Sequence, residues 1–302
     1  MTTESPTPLE GIDPADVTVD DVDESTIHES LSSHSPLEQQ RAVAVCETLA
    51  DADVDHVRPY LDELASLVAD DNAVLALRAI GALDHVAEAE PTALEGRLSV
   101  LVSVMDSDLV DVQLTGAALL GRVVVEHPTF VAPYARDLVA AIRDTEPDPN
   151  PEDLSGVVDD PVTRQTIQEH EEGERQRRMA GRRTLTNVVV AITETEPVAA
   201  FDAVDDLVTL LDDVDPAVAG GAVDALGELA IADPAVVTPV RDVIVDCLDH
   251  HASSVRTRAV RALGHLGDDA AVPALRSVAD SDEDEDVQDL AGETADFLQR
   301  ES

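Results

Sequence analysis

The sequence predicts an all-α fold: a stack of about six helical hairpins with a capping helix at each end. Three observations lead there. The 302 residues are 44% apolar, yet the chain has no Trp, three Phe and two Tyr, so a core must be built from Ala, Val and Leu. Helices that meet on small side chains approach closely and need no aromatic anchors. A mask of small and apolar residues also recurs at near-constant spacing, and each of its central copies is followed by a proline at a fixed distance.

The clearest copies are DPAVAGGAVDALGELA (215–230) and SSVRTRAVRALGHLG (253–267). Counting from Val218, small or apolar residues fall at offsets 4, 7, 8 and 11 (Ala222, Ala225, Leu226, Leu229). Counting from Val255, the same offsets hold Ala259, Ala262, Leu263 and Leu266. Those offsets lie on one stripe of a helix. Both copies have Gly at offset 9, Gly227 and Gly264. Leu75 starts another copy (Ala79, Ala82, Leu83, Val86), and Val112 a fourth (Gly116, Leu119, Leu120, Val123) with Gly121 at offset 9. Weaker copies start at Glu38, Ala180 and Val287. The anchors 38, 75, 112, 180, 218, 255 and 287 are 37, 37, 68, 38, 37 and 32 residues apart, so the long interval holds one repeat plus about 31 inserted residues.

Pro91, Pro128 and Pro234 lie 16 residues after their anchors and Pro197 lies 17 after. Proline suits the first turn of a helix, where its missing N–H would be unpaired anyway. The second helices then read LEGRLSVLVSVM, VAPYARDLVAAI, FDAVDDLVTLL and VTPVRDVIVDCL. Residues 1–20 lack periodicity and are expected to form a disordered acidic tail, with the solenoid running over 21–302. Ile27 and Leu31 mark a half-repeat cap over 21–32, and a last helix over 286–300 closes the other end. The insertion spans 144–177. It begins with the proline-rich DTEPDPNPEDLSGVVDDP, a loop, and becomes helical from Asp160, with Pro161 in the first turn. This helix is expected to run on into the repeat helix at 180–195.

VRTRAVRALGHLGDDAAVPALRSV (255–278) resembles the HEAT-repeat family and is similar also to the shorter HEAT-like units named after bilin lyases. The resemblance covers about 22–300. It implies a right-handed superhelical α-solenoid of the armadillo type, with second helices lining a concave face. It implies little chemistry, because most such proteins are scaffolds.

Asp and Glu number 64 and all 19 basic residues are Arg, for a formal net charge of −45. Such a charge strains a folded chain at low salt, whereas in about 1 M salt the Debye length falls to about 3 Å. The acidity therefore reads as adaptation to a salt-rich cytoplasm of the kind extreme halophiles keep. The same charge argues against binding nucleic acid or anionic membrane by bulk electrostatics. MTTESPTPLEG has no basic or apolar leader pattern, so a soluble cytoplasmic protein is expected. Cys46 and Cys247 lack metal-ligand spacing and read as buried free thiols.

EEGERQRRMAGRR (171–183) stands out against this acidity, with five Arg in nine residues. Glu171–Arg175 and Glu174–Arg178 have the favourable spacing for helical ion pairs. From Glu169 to Arg183, four Glu and five Arg leave a local charge of +1, so the patch is close to neutral and self-neutralisation is the plainer reading. Arg177, Arg182 and Arg183 have no carboxylate four residues before them and are the candidates for contact with a partner. Five second helices have one Arg each: Arg58, Arg97, Arg136, Arg241 and Arg276. These either form a ladder along the concave face, with Arg97, Arg136 and Arg241 as partner contacts, or bridge to acids of neighbouring repeats.

Catalytic patterns are missing from the sequence: it has no GxxxxGK[ST], GxSxG or HExxH. The two HE dipeptides, at His28 and His170, fall in the cap and the insertion, out of register with the repeats. This differs from the HEAT-type deoxyhypusine hydroxylase, which holds iron with HE motifs in register. Adjacent His250 and His251 read as a solvated helix end. The expectation is a non-catalytic scaffold without cofactor or metal that binds another protein through its concave face, the 144–183 insertion, or both. The alternatives are an accessory subunit touching nucleic acid through exposed arginines and, further off, a metal-dependent enzyme.

Overall fold

The computed structural model describes residues 9, 11–148 and 160–301, and among these every regular element is helical. In chain order the α-helices are α1 (Glu24–Leu31), α2 (Pro36–Ala52), α3 (Leu61–Val68), α4 (Ala73–Ala89), α5 (Leu98–Ser103) and α6 (Val110–Glu126). The single turn α7 (Pro128–Val131) follows, then α8 (Ala135–Asp144), α9 (Pro161–Thr195), α10 (Val204–Thr209) and α11 (Pro216–Ala232). The single turn α12 (Pro234–Val237), α13 (Arg241–Asp246), α14 (Ser253–Leu266), α15 (Val272–Ser281) and α16 (Glu285–Glu301) complete the chain. The chain divides into two compact units, Met1–Phe130 and Val131–Ser302. In the first unit α4 packs on α2, α3 and α6; in the second, α9 packs on α8 and α11, and α14 on α11 and α16. First helices of successive hairpins thus lie side by side within each unit, the packing of an α-solenoid.

Solvent exclusion follows the sequence mask. Leu75, Ala79, Ala82, Leu83 and Val86 are all fully buried, as are Val218, Ala225, Leu226 and Leu229. One copy shifts by a residue. The copy anchored on Ala180 expects Thr184 and Asn187 inward, but Asn187 is exposed and the buried stripe is Gly181, Leu185, Val188, Val189 and Ile192. Counted from Gly181, Pro197 lies 16 residues on, as in the other copies. No helix start marks this register in the sequence because α9 runs through it without a break. Apolar burial decides the alignment instead.

Two of the offset-9 glycines sit where a neighbouring first helix packs closely. A Cβ on Gly227 would lie 3.3 Å from that of Ala262, and one on Gly264 would lie 3.1 Å from Cγ2 of Thr294. The mask alanines are equally confined: Ala222 and Ala259 are 1% and 0% exposed. Ala259→Leu is therefore expected to overpack the stack by about 1–3 kcal/mol. A thermal melt unchanged from the parent at matched salt would contradict the assigned stripe.

Second helices are shorter than their apolar runs. Each opens as a 3-10 turn (Pro91–Leu94, Ala132–Tyr134, Pro197–Ala203, Thr238–Val240) before its α-helix. Pro133 and Pro239 interrupt two of these runs, because proline lacks a donor and clashes with the carbonyl four residues back. Gly96, with φ near +80°, breaks a third, in a region that favours glycine.

The helices nearest the two ends both bury an apolar stripe. Ile27 and Leu31 of α1 are 2% exposed, and Val287, Ala291, Ala295 and Leu298 of α16 are buried. The expected disordered tail does not hold for its described part. Leu9 and Val17 are buried, Arg41 of α2 donates to the Ile12 carbonyl (Nη2–O 2.7 Å), and Thr48 donates to that of Pro14 (2.7 Å). Two aliphatic side chains among acids are too few to show periodicity, yet they suffice to seat the segment on α2. Residues 1–8, 10 and 302 lie outside the described residues, as does the part of the expected loop over 149–159. Cys46 and Cys247 are free and buried, and burial pushes the Cys46 thiol up to about 12.

Candidate functional site

The inserted segment becomes the first half of a 35-residue helix, α9. Asp160 caps it: its Oδ2 accepts from the Thr163 N–H (2.8 Å) and hydroxyl (2.7 Å). Pro161 fills the first turn. None of residues 162–180 is buried, whereas burial begins at Gly181 and continues on one stripe to Thr193. At 1.5 Å per residue, about 28 Å of helix therefore extends past the packed half.

The five arginines divide between these halves. Arg182, expected as an outside contact, is 2% exposed. Its Nε donates to the Ile142 carbonyl (3.0 Å), its Nη1 to Asp213 Oδ1 (3.0 Å) and its Nη2 to Asp213 Oδ2. It is thus a structural tie, not a partner contact. The physical reason is its register: it stands beside Gly181 on the buried stripe, and a guanidinium entering a core requires a paired acid. Arg183 is half-exposed but engaged, with Nε on Asp215 Oδ2 at 2.6 Å. That hydrogen bond raises the guanidinium's pKa above its ordinary value. Asp213 and Asp215 also cap the turn before α11, accepting from the N–H of Asp215 (2.9 Å) and Ala217 (3.0 Å).

Arg177 remains on the extension, half-buried. The two expected helical ion pairs there do not form among the described residues. Arg175 donates instead to the Asp148 carbonyl (2.9 Å), and Glu174 lies 3.4 Å from His170. Carbonyls of the 145–148 segment offer Arg175 a partner that local spacing could not reveal.

The second-helix arginines are bridges. Arg97 donates to Asp62 (2.7 Å) and to the Ala93 carbonyl (3.0 Å). Arg136 lies 3.4 Å from Asp206, and Arg241 binds Asp242 (2.6 Å) and Asp268 (2.7 Å). Arg58 reaches Glu90 (2.6 Å), and Arg276 pairs with Asp296. Of the two roles open to them in the sequence, the geometry shows cross-linking of hairpins.

Arg256 and Asp282 repeat the Arg182–Asp213 arrangement, with Nη2–Oδ1 2.7 Å and Nε–Oδ2 2.8 Å. Each Arg follows its anchor (Gly181, Val255) by one residue, and each Asp precedes the next anchor (Val218, Val287) by five. That recurrence was the available sequence signal, hidden by the misplaced anchor at 180. Arg256 holds the Asp282 carboxyl below the usual carboxylate range. A depressed folded pKa stabilises the protein fully above the unfolded value of about 3.9 and loses that effect as pH falls through the folded value. Asp282→Asn should therefore lower the urea midpoint at pH 7, and the gap to the parent should close below about pH 4. A gap constant with pH would refute the pairing.

Among the described residues no three His, Cys, Asp or Glu side chains gather as metal ligands. His28 instead meets Glu63 (2.6 Å), and the rings of His250 and His251 lie 4.2 Å apart. No described helix is long and apolar enough to cross a membrane.

The fold defines the class: an all-α repeat solenoid of the armadillo and HEAT type. Within it, residues 204–295 match the family described as HEAT repeats. Among solved structures, an archaeal HEAT-like repeats protein from Thermococcus onnurineus NA1 is similar at TM-score 0.53 and 13% identity, covering 92% of this chain and 98% of that one. A mutant of Kap121p is similar at TM-score 0.54 and 16% identity; the match covers 91% of this chain but 30% of Kap121p. A computationally designed armadillo repeat protein for modular peptide recognition matches at TM-score 0.40 and 18% identity, with coverage of 91% and 99%. Comparison with curated protein sequences found no match.

Proposed function

We propose that this chain is a non-catalytic scaffold that binds another protein through the extended half of α9. The observation behind this reading is the run from 162 to 180, five helical turns without one buried residue. Most helical stability in proteins comes from tertiary packing of one face, and Val162 stands 72% exposed there. A partner that covered this face would bury the apolar side chains and meet Arg177. The second-helix arginines contribute less, since Arg97, Arg136 and Arg241 are already held by carboxylates.

A photo-crosslinking residue placed at Gln168 or Gln176, both exposed on the extension, should capture a discrete partner in the native cell. The same residue at Thr115 on α6 should not. Equal capture at all three positions, or none on the extension, would sink the proposal.

The acid excess fits a cytoplasm rich in salt. With a net charge of −45, the melting temperature should rise as KCl increases from about 0.1 M to about 2 M, because screening removes self-repulsion. A flat or falling dependence would reject the halophilic reading.

A further inference from the structure

Three of the grooves between successive first helices are bridged in the same way. Across the α2–α4 groove His85 binds Asp51; across α4–α6 Arg122 binds Asp84 (Nε–Oδ1 2.8 Å); across α11–α14 Arg258 binds Asp224 (3.1 Å). In each case a basic side chain on the later helix, at offset 3 or 10 from its anchor, reaches an acid on the earlier one. The α9–α11 groove needs no such pair, because Gly221 lets α11 close directly onto Thr186.

At α14–α16 the pattern is inverted. Offsets 3 and 10 from Val287 are Leu290 and Phe297, and the earlier helix presents Arg261 and His265. Phe297 is 46% exposed, in a chain with three Phe and no Trp. Between them lies a groove of about 750 Å³, with Arg300 on its wall. The acids beside these arginines are already engaged: Asp224 by Arg258 and Asp296 by Arg276. Among the described residues neither Arg261 nor Arg300 has a carboxylate within ion-pair distance. Two guanidiniums, Arg261 and Arg300, thus share the groove wall with two carboxylates, Glu293 and Asp296, the second of which is already held by Arg276.

We propose that the α14–α16 groove docks an acidic peptide segment of a partner protein, with carboxylates on Arg261 and Arg300 and an apolar side chain against Leu290 and Phe297. In the three paired grooves the stack supplies the acid from within; here two guanidiniums without an ion pair and an exposed ring are left for an outside segment. Guanidiniums bind carboxylates through paired, charge-assisted hydrogen bonds, and an adjoining exposed ring adds the apolar anchor that strengthens such contacts. This surface is distinct from the α9 extension, so the two readings stand or fall separately.

The test uses the full chain and a fluorescein-labelled Asp-Glu-Leu-Asp-Asp-Phe peptide, read by anisotropy at about 0.1 M and about 1 M KCl. The parent should bind it. R261E/R300E should weaken binding by about tenfold or more, and F297A by several-fold at both salts. A partner peptide with Lys at each acidic position should bind R261E/R300E better than the parent. All three replaced side chains are exposed, and circular dichroism melts check that the variants fold as the parent does. No binding of the acidic peptide to the parent, or binding indifferent to these substitutions, overturns the proposal. Equal binding of a DNA oligomer through the same arginines would also overturn it, by replacing the peptide with nucleic acid.

Discussion

Replacing Arg182 by alanine is expected to destabilise the second unit by about 3–5 kcal/mol, the largest effect of any single arginine in the chain. The side chain is 2% exposed and its partner Asp213 is equally enclosed, with 1% of its side chain accessible. Alanine would leave the Asp213 carboxylate in the core without its counter-charge and take a donor from the Ile142 carbonyl. Both groups would then bear an uncompensated desolvation cost. The size of the loss reflects the stranded acid more than the net worth of the pair. Adding Asp213→Asn to Arg182→Met should therefore recover part of the stability, since no charge is left buried and the amide oxygen can still accept from the Asp215 N–H. Urea denaturation of the two singles and the double measures this coupling. A loss below about 1 kcal/mol for Arg182→Ala would mean the side chain reaches solvent.

Leu226→Ala should cost about 2–5 kcal/mol. Leu226 is fully buried on α11, which packs against both α9 and α14. The cavity would therefore open between three helices that are each held mainly by their neighbours. In a stack of this kind stability is a sum of repeat and interface contributions, so the damage should spread to adjacent helices first. Hydrogen exchange should show lost protection in α9, α11 and α14 before α16. Val125→Ala, at a position 80% exposed on α6, should stay within about 0.5 kcal/mol of the parent. Similar losses for Leu226 and Val125 would show that the mask does not mark the core.

Residue periodicity revealed most of the architecture and less of the chemistry. The offsets 4, 7, 8 and 11 are a property of the helix itself, so Leu83, Leu226 and Leu263 were legible as core before any coordinates. The inward face of Ile27 and Leu31 and the helicity from Asp160 onward were legible for the same reason. The Ala180 register was not, because helicity continues across it and no helix start marks the copy, although Leu185, Val188, Val189, Ile192 and the 16-residue spacing to Pro197 all favour Gly181. Nor was the fate of Arg182 legible. Its carboxylate lies 31 residues on, and local spacing gives no reason to choose Asp213 among so many acids. The α14–α16 groove likewise needed the ion pairs of the other grooves before Leu290 and Phe297 stood out as exceptions.

What the sequence by itself determined is a stack of helical hairpins, its helix faces and its large negative charge, since each depends on residues close together in the chain or on composition alone. Only the tertiary structure decided which carboxylate or carbonyl each of Arg175, Arg182 and Arg183 holds. Pairing a guanidinium with a carboxylate depends on distance and burial, and in a solenoid both are set by the neighbouring repeat, some thirty residues away.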